Sequence, residues 1–330
     1  MTGPLAVEQL GGLGDWIRGN APRSSLPFRF VSSATTPALR KLLAADLSAA
    51  TDGLFAHHKM DSVAALARIQ PQPWESEVLS AAAFSLNAWL FADPCELSPA
   101  ALDALIQGAL HSVRRPSESV LVAAKCWASD IPLVHALERN GFLLMDTAVD
   151  VLYDPIVGKR AGPVSMPLPD GLALRLAGPE DSAALRALAG LAFARHFGRF
   201  HSDPRIGRER ATLVYQEWIC ACLDGWADFV FVVEDLAAKE LAGFSAWKKP
   251  SARARSLQLP LGHYSIGAVS PAFSGRGLFK NLTLAGTKAL GENLAVEGPT
   301  HLHNLAVQRG YLSLGWKIAD SRHTFHAWLE

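Results

Sequence analysis

Two stretches of this chain carry the same order of elements, and that repetition restricts the fold more than any other feature. Leu172-Ala173-Leu174-Arg175-Leu176 alternates like a strand, Gly178-Pro179-Glu180-Asp181 breaks it, and Ser182 to Ala194 has helical spacing. Earlier, Phe28-Arg29-Phe30-Val31 is strand-like, Thr35-Thr36-Pro37 is the break, and a helix follows from Ala38. Ala38-Leu39-Arg40-Lys41-Leu42 lines up with Ala184-Leu185-Arg186-Ala187-Leu188 at an offset of 146. The closing elements match as well. Gly141-Phe142-Leu143-Leu144-Met145-Asp146-Thr147 parallels Gly315-Trp316-Lys317-Ile318-Ala319-Asp320-Ser321 at an offset of 174. Each glycine suits a left-handed helix C-terminus ahead of a strand. The simplest account is a duplicated fold with 28 extra residues in the second copy.

The length agrees: 330 residues give two domains at roughly 150 each. The reading is an N-terminal arm over 1–24, a first domain over 25–155, a linker over 156–170 and a second domain over 171–330. The linker is marked by Gly158, Gly162, Pro163, Pro167 and Pro169. Lys plus Arg equals Asp plus Glu at 31 each, so no global field favours nucleic acid or an anionic membrane. A local anion site is still compatible with that balance. No apolar run reaches the length of a membrane helix, and no signal peptide is visible. Cys95, Cys126, Cys220 and Cys222 form no C-x-x-C pair. Together these features predict a cytoplasmic protein with reduced thiols.

The stretch from His263 to Leu290 carries the chemistry. His263 to Val269 reads as a buried strand, and Ser270-Pro271 ends it. Phe273-Ser274-Gly275-Arg276-Gly277 follows, and a helix starts at Leu278. A strand, a glycine loop and a helix N-terminus make an anion cradle, because the first helical amides lack acceptors and face the ligand. The loop is too short for a P-loop and lacks G-x-G-x-x-G. About thirty residues on stand Asn304, Tyr311, Gly315 and Trp316.

These two motifs, in this order, resemble the GNAT superfamily of acyl-CoA-dependent N-acyltransferases. Ala272-Phe273-Ser274-Gly275-Arg276-Gly277 is similar to that family's [QR]-x-x-G-x-[GA] pyrophosphate loop, with Ala272 in place of Gln or Arg. Asn304, Tyr311, Gly315 and Trp316 are similar to its N-x-x-A-x-x-x-Y-x-x-x-G-F element, with Val307 for Ala and Trp316 for Phe. Phe279 stands where a further glycine is common. The resemblance covers about Leu172 to Leu329. It implies an α/β (α+β) fold, two tandem copies of a mixed, mostly antiparallel sheet flanked by helices, the first copy degenerate.

The resemblance also implies site roles. The backbones of Ala268 and Val269 would bind the pantetheine arm of acetyl-CoA. The amides from Ser274 through Gly275, Arg276, Gly277 and Leu278 to Phe279 would hold the pyrophosphate, with Asn304 positioning the coenzyme or capping its helix. The strand is expected to splay from its neighbour after Val269, opening a slot for the thioester. Tyr311 would be the general acid for the departing thiolate. His263 is a candidate base, reaching one strand face with Ser265, Gly267 and Val269; a water relay or a purely structural histidine is the alternative. His301-x-His303 and His323-x-x-His326 lack a further ligand, so no metal is expected.

At the 174 offset, Asn304 falls on Asp130 and Tyr311 on Leu137, so the first copy lacks the acid. It would then shape the acceptor cleft, cover an edge of the second copy or form a homodimer interface. A degenerate copy ahead of an active one resembles the dTDP-4-amino-4,6-dideoxygalactose N-acetyltransferases. Pro73-Trp74-Glu75-Ser76-Glu77 and Phe200-His201-Ser202-Asp203-Pro204 with Glu217-Trp218 are similar to segments of that group. Phe200, His201, Asp203 and Trp218 are therefore expected at the acceptor site. The acceptor is a small-molecule amine: a nucleotide-linked amino sugar, or else an amino acid, a polyamine or an antibiotic amine. A non-catalytic CoA-binding scaffold is the remaining alternative.

Overall fold

The computed structural model describes residues 2–4, 15–17, 20, 22, 31, 36–48, 53–59, 62–92, 97–155, 165–259, 261–291 and 293–330. Most of the expected arm, the strand expected at 28–31 apart from Val31, Cys95 and residues 156–164 of the expected linker lie outside the described residues.

The first unit holds β1 (Thr2–Pro4), α1 (Thr36–Ser48), β2 (Leu54–Lys59), β3 (Ser62–Pro71), α2 (Pro73–Leu79), β4 (Ala82–Leu90), α3 (Pro99–Val113), β5 (Val120–Trp127) and α4 (Ile131–Arg139), and the chain leaves it along β6 (Leu143–Tyr153). Strands β2, β3 and β4 are antiparallel, and β4 then runs parallel to β5 from Ala82↔Val120 to Leu86↔Ala124. The Ser98 side chain caps α3 by accepting from Ala101 N–H at 3.2 Å, and Pro99 presets its first turn. The buried stripe of α3, Leu102, Leu105, Ile106, Ala109, Leu110 and Val113, packs on Phe84, Leu86, Val120 and Val122.

The second unit holds β7 (Leu172–Leu176), α5 (Ser182–Phe193), α6 (Arg199–Ser202), α7 (Arg208–Ala221), β8 (Phe229–Asp235), β9 (Glu240–Lys248), α8 (Ala252–Ser256), β10 (Leu261–Val269), α9 (Leu278–Leu290), β11 (Ala295–His301) and α10 (Leu305–Ser313), followed by β12 (Lys317–Leu329). Strands β7 to β10 are antiparallel neighbours in sequence order, and β10 is parallel to β11. Both units therefore run an antiparallel meander into one parallel pair. The repeat extends to backbone angles. Asp130 and Asn304 precede their helices at φ/ψ of −83°/59° and −81°/63°. Gly141 and Gly315, after those helices, have φ of +80° and +84°.

Each unit is completed by a distant piece of chain. Contacts divide the molecule after Thr147, and Ser321–Glu330 groups with the first unit while Ala148–Asp320 forms the second. In the first unit, β5 pairs antiparallel with the end of β12, from Trp127↔Arg322 to Val120↔Leu329. In the second, β11 pairs antiparallel with the end of β6, from His301↔Ala148 to Val296↔Tyr153. The sequence reading ends the first domain at 155 and leaves the C-terminus in the second. Alternating side chains mark a stretch as a strand but do not say which edge it joins. Phe325 is fully buried in the first unit's core. Phe325→Ala should therefore cost about 3–5 kcal/mol, read by urea unfolding followed on first-unit probes. A second-unit transition that falls instead would contradict the exchange.

Candidate active site

The site forms where β10 and β11 part. The two strands are in register at Leu261↔Ala295, Gly262↔Val296 and His263↔Glu297, and no further pair is made. Beyond that point β10 stays bonded to β9 and β11 to β6. The divergence thus begins at His263, six residues before the expected Val269. Ser270 N–H donates to Ala242 O at 2.9 Å. Alternation along the strand then turns the Ala268 backbone toward β9 and the Val269 backbone toward the open edge.

A bulge changes which side chains share a face. Tyr264 pairs with Trp247 and Ile266 with Ala246, so Ser265 is the extra residue. The parity of the strand shifts there. Gly267 lies on the face of Tyr264: a Cβ on it would stand 2.1 Å from the Tyr264 hydroxyl. His263, opposite Lys248, faces the other way. The expected common face of His263, Gly267 and Val269 is therefore broken by one residue.

On the Tyr264 face, Tyr311 of α10 is fully buried. Its ring lies 5.0 Å from Phe279, 6.0 Å from Tyr264 and 4.5 Å from Trp316. Its hydroxyl has no hydrogen-bond partner among the described residues. Burial pushes its ionisation well above the ordinary tyrosine value, so it stays protonated. Gly298, the residue after the last β10–β11 pair, makes its room: a Cβ there would stand 2.5 Å from the hydroxyl. Phe279, a departure from the family's loop pattern, fits because Gly310 faces its ring, where a Cβ would stand at 2.5 Å.

The loop between β10 and α9 takes one tight turn at Pro271–Phe273, and Gly275 and Gly277 then have φ of +78° and +80°. These angles disfavour any residue with a Cβ. Gly277 precedes α9 without a side-chain cap, so helix geometry leaves the amides of Leu278 and Phe279 without intrahelical acceptors. The Arg276 guanidinium lies 4.9 Å over the Phe273 ring. Asn304 does not cap α10 through its side chain; its Nδ2 donates to Thr300 Oγ1 at 3.2 Å.

On the opposite face, His263 Nδ1 lies 3.0 Å from Glu297 Oε1. The expected acceptor residues divide. Phe200 and Asp203 are buried. Phe200 lies under the Arg199 guanidinium at 3.9 Å, and Asp203 Oδ1 accepts from Arg205 N–H at 2.9 Å. Trp218 stacks near Tyr215 at 6.3 Å and is half-buried. His201 Nε2 lies 3.2 Å from Thr212 Oγ1, and burial, with the nearby Arg208 charge, lowers its affinity for a proton. The sequence reading missed Phe197, 41 % exposed, whose ring meets His301 edge-on at 4.5 Å and stacks on His196 at 5.1 Å. Nothing in a linear pattern joins positions 197, 297 and 301; only the fold does.

The other singled-out groups have local partners. His301 Nδ1 accepts from His303 N–H at 3.0 Å, and His323 Nδ1 lies 2.9 Å from Thr147 Oγ1. Among the described residues, no three His, Cys, Asp or Glu side chains are grouped to hold a metal ion. Cys222 is buried, with its Sγ 3.9 Å from the hydroxyl of Ser265, and burial pushes its thiol up to about 12. It is held as a poor nucleophile. In the first unit Leu137, buried, occupies the position that Tyr311 has in the second. Among the described residues, no helix is long and apolar enough to cross a membrane.

No family model matches the chain. The spore coat polysaccharide biosynthesis protein SpsD of Bacillus subtilis is 25% identical over 284 residues, spanning 84% of this chain and 87% of that protein. Among solved structures, a GCN5-related N-acetyltransferase from Sphaerobacter thermophilus superposes with a TM-score of 0.62 at 13% identity, covering 99% of this chain and 95% of that one. A tandem GNAT protein from the clavulanic acid biosynthesis pathway superposes with a TM-score of 0.56 at 15% identity, covering 99% and 98%. The fold is therefore the α+β fold of these GNAT proteins, with the tandem comparison spanning both halves.

Proposed function

We propose that the second unit is an acetyl-CoA-dependent N-acetyltransferase that moves the acetyl group directly to a primary amine. One observation carries the reading: the Tyr311 hydroxyl, buried and without a partner among the described residues, lies beside Gly298, where β10 and β11 part. A buried hydroxyl without a partner is costly, and such groups mark places where function sets the residue.

Acetyl-CoA, when bound, supplies an acetyl group activated as a thioester. The amides of Gly275 to Phe279 are the anion cradle for its pyrophosphate, and the open backbone edge of Val269 is there for its pantetheine amides. Tyr311 Oη, held protonated, gives its proton to the departing sulfur. The buried Cys222 thiol argues for direct transfer over an acyl-enzyme.

The acceptor we favour is a nucleotide-linked amino sugar in the cytoplasm. Phe197 against His301 gives a half-open aromatic surface on the His263 face, suited to stacking on a sugar or base. The Bacillus relative, a spore coat polysaccharide biosynthesis protein, points the same way. Thiol release from acetyl-CoA should appear with nucleotide-linked amino sugars and not with amino acids, polyamines or antibiotic amines. Release with an amino acid alone would overturn the acceptor class. No release with any amine would leave a CoA-binding scaffold.

A further inference from the structure

We infer that Glu297 is a positioning residue that fixes His263 as the acceptor of the substrate amine's proton. This deepens the acetyl-transfer reading and rests on it. His263 and Glu297 are the last pair of the parallel ladder, so both side chains leave the sheet where the strands part. In a parallel pair in register they project from one face. The next residue, Tyr264, lies beside Tyr311 at 6.0 Å, so alternation points His263 away from Tyr311. The acid and the base thus approach the parting point from opposite sides of the sheet.

Both side chains are open enough for a ligand, at 33% exposure for His263 and 27% for Glu297. The carboxylate only accepts, so the 3.0 Å contact requires a proton on Nδ1. The neutral ring then carries its lone pair on Nε2, the nitrogen left for the substrate. A carboxylate that orients an imidazole and selects its tautomer is a general device for proton transfer.

His263 Nε2 takes one proton from the substrate ammonium, leaving a neutral amine. The amine nitrogen forms the N–C bond to the acetyl carbonyl carbon, and the C–S bond breaks with its electron pair on sulfur. Tyr311 Oη protonates that sulfur and recovers a proton from the nitrogen, now an amide. The proton on His263 is released to water, so the net products are the amide, the free thiol and one proton.

A double-mutant cycle on the full chain tests the assignment, with acetyl-CoA binding as the folding control for every variant. His263→Ala should lower kcat about 10²–10⁴-fold and regain turnover with added imidazole. Glu297→Gln should lower kcat about 10–100-fold with the acetyl-CoA KM unchanged. In the His263→Ala background, Glu297→Gln should add no further loss, with or without imidazole, because it acts through the ring. A full additional loss there, or no loss from either single change, overturns the proposal. Nitrogen-15 histidine spectra, with His263 assigned by its absence from His263→Ala, give a readout independent of turnover. They should show Nδ1 protonated in the wild type and a mixed tautomer in Glu297→Gln; an Nε2–H wild-type ring overturns the dyad even if transfer stands. A wild type with the expected tautomer that releases no thiol with any amine fails the transfer reading, and the base role with it.

Discussion

Tyr311→Phe is expected to lower kcat by about 10²–10⁴-fold and, at the same time, to raise the stability of the second unit. The two effects share one cause. The hydroxyl is fully buried and has no partner among the described residues. Leaving such a group unsatisfied costs about 1–3 kcal/mol, which phenylalanine recovers without changing the ring contacts to Phe279 and Trp316. Acetyl-CoA affinity should hold, since the loop amides are untouched. Because burial keeps the hydroxyl protonated well above the usual range, wild-type turnover should show no loss from Tyr311 ionisation up to about pH 10. Steady-state kinetics with a melting curve on the same preparation checks both. Reduced stability with full turnover would remove Tyr311 from the mechanism.

Gly298→Ala is expected to have the second-largest effect, by displacing that same hydroxyl. Its Cβ would stand 2.5 Å from Tyr311 Oη, 2.8 Å from Tyr311 Cζ and 3.2 Å from Trp316. A packed core meets such an insertion by shifting side chains, at about 1–3 kcal/mol. Here the side chain that must move is the proposed acid, so kcat should fall along with the melting temperature. Removing Oη removes the shortest of these contacts. The stability cost of Gly298→Ala should therefore be smaller in a Tyr311→Phe background. Equal costs in both backgrounds would show that the alanine strains something other than the hydroxyl.

The parts of this molecule that depend on local chemistry were legible in the sequence. Gly141 and Gly315 read as helix terminators, and both adopt left-handed angles. Gly275 and Gly277 read as a loop ahead of a helix, and both have positive φ. The parts that depend on pairing were not. The exchange of the ends of β6 and β12 leaves no local mark, because an edge is chosen by its partner. The bulge at Ser265 is one residue long, yet it moves His263 to the opposite face from Gly267. Phe200 and Asp203 are expected at the acceptor site through a resemblance of short segments, which carries no information on their burial. Phe200 packs against Tyr215 of α7, a contact that a linear reading cannot supply.

On the proposed function, one unit of the two holds acetyl-CoA, at the parting of β10 and β11. Calorimetric titration of the full chain with acetyl-CoA tests it directly. One site per chain is expected, with loss of that site in Gly275→Trp, where φ is +78°. Two sites per chain, or no binding at all, would contradict it.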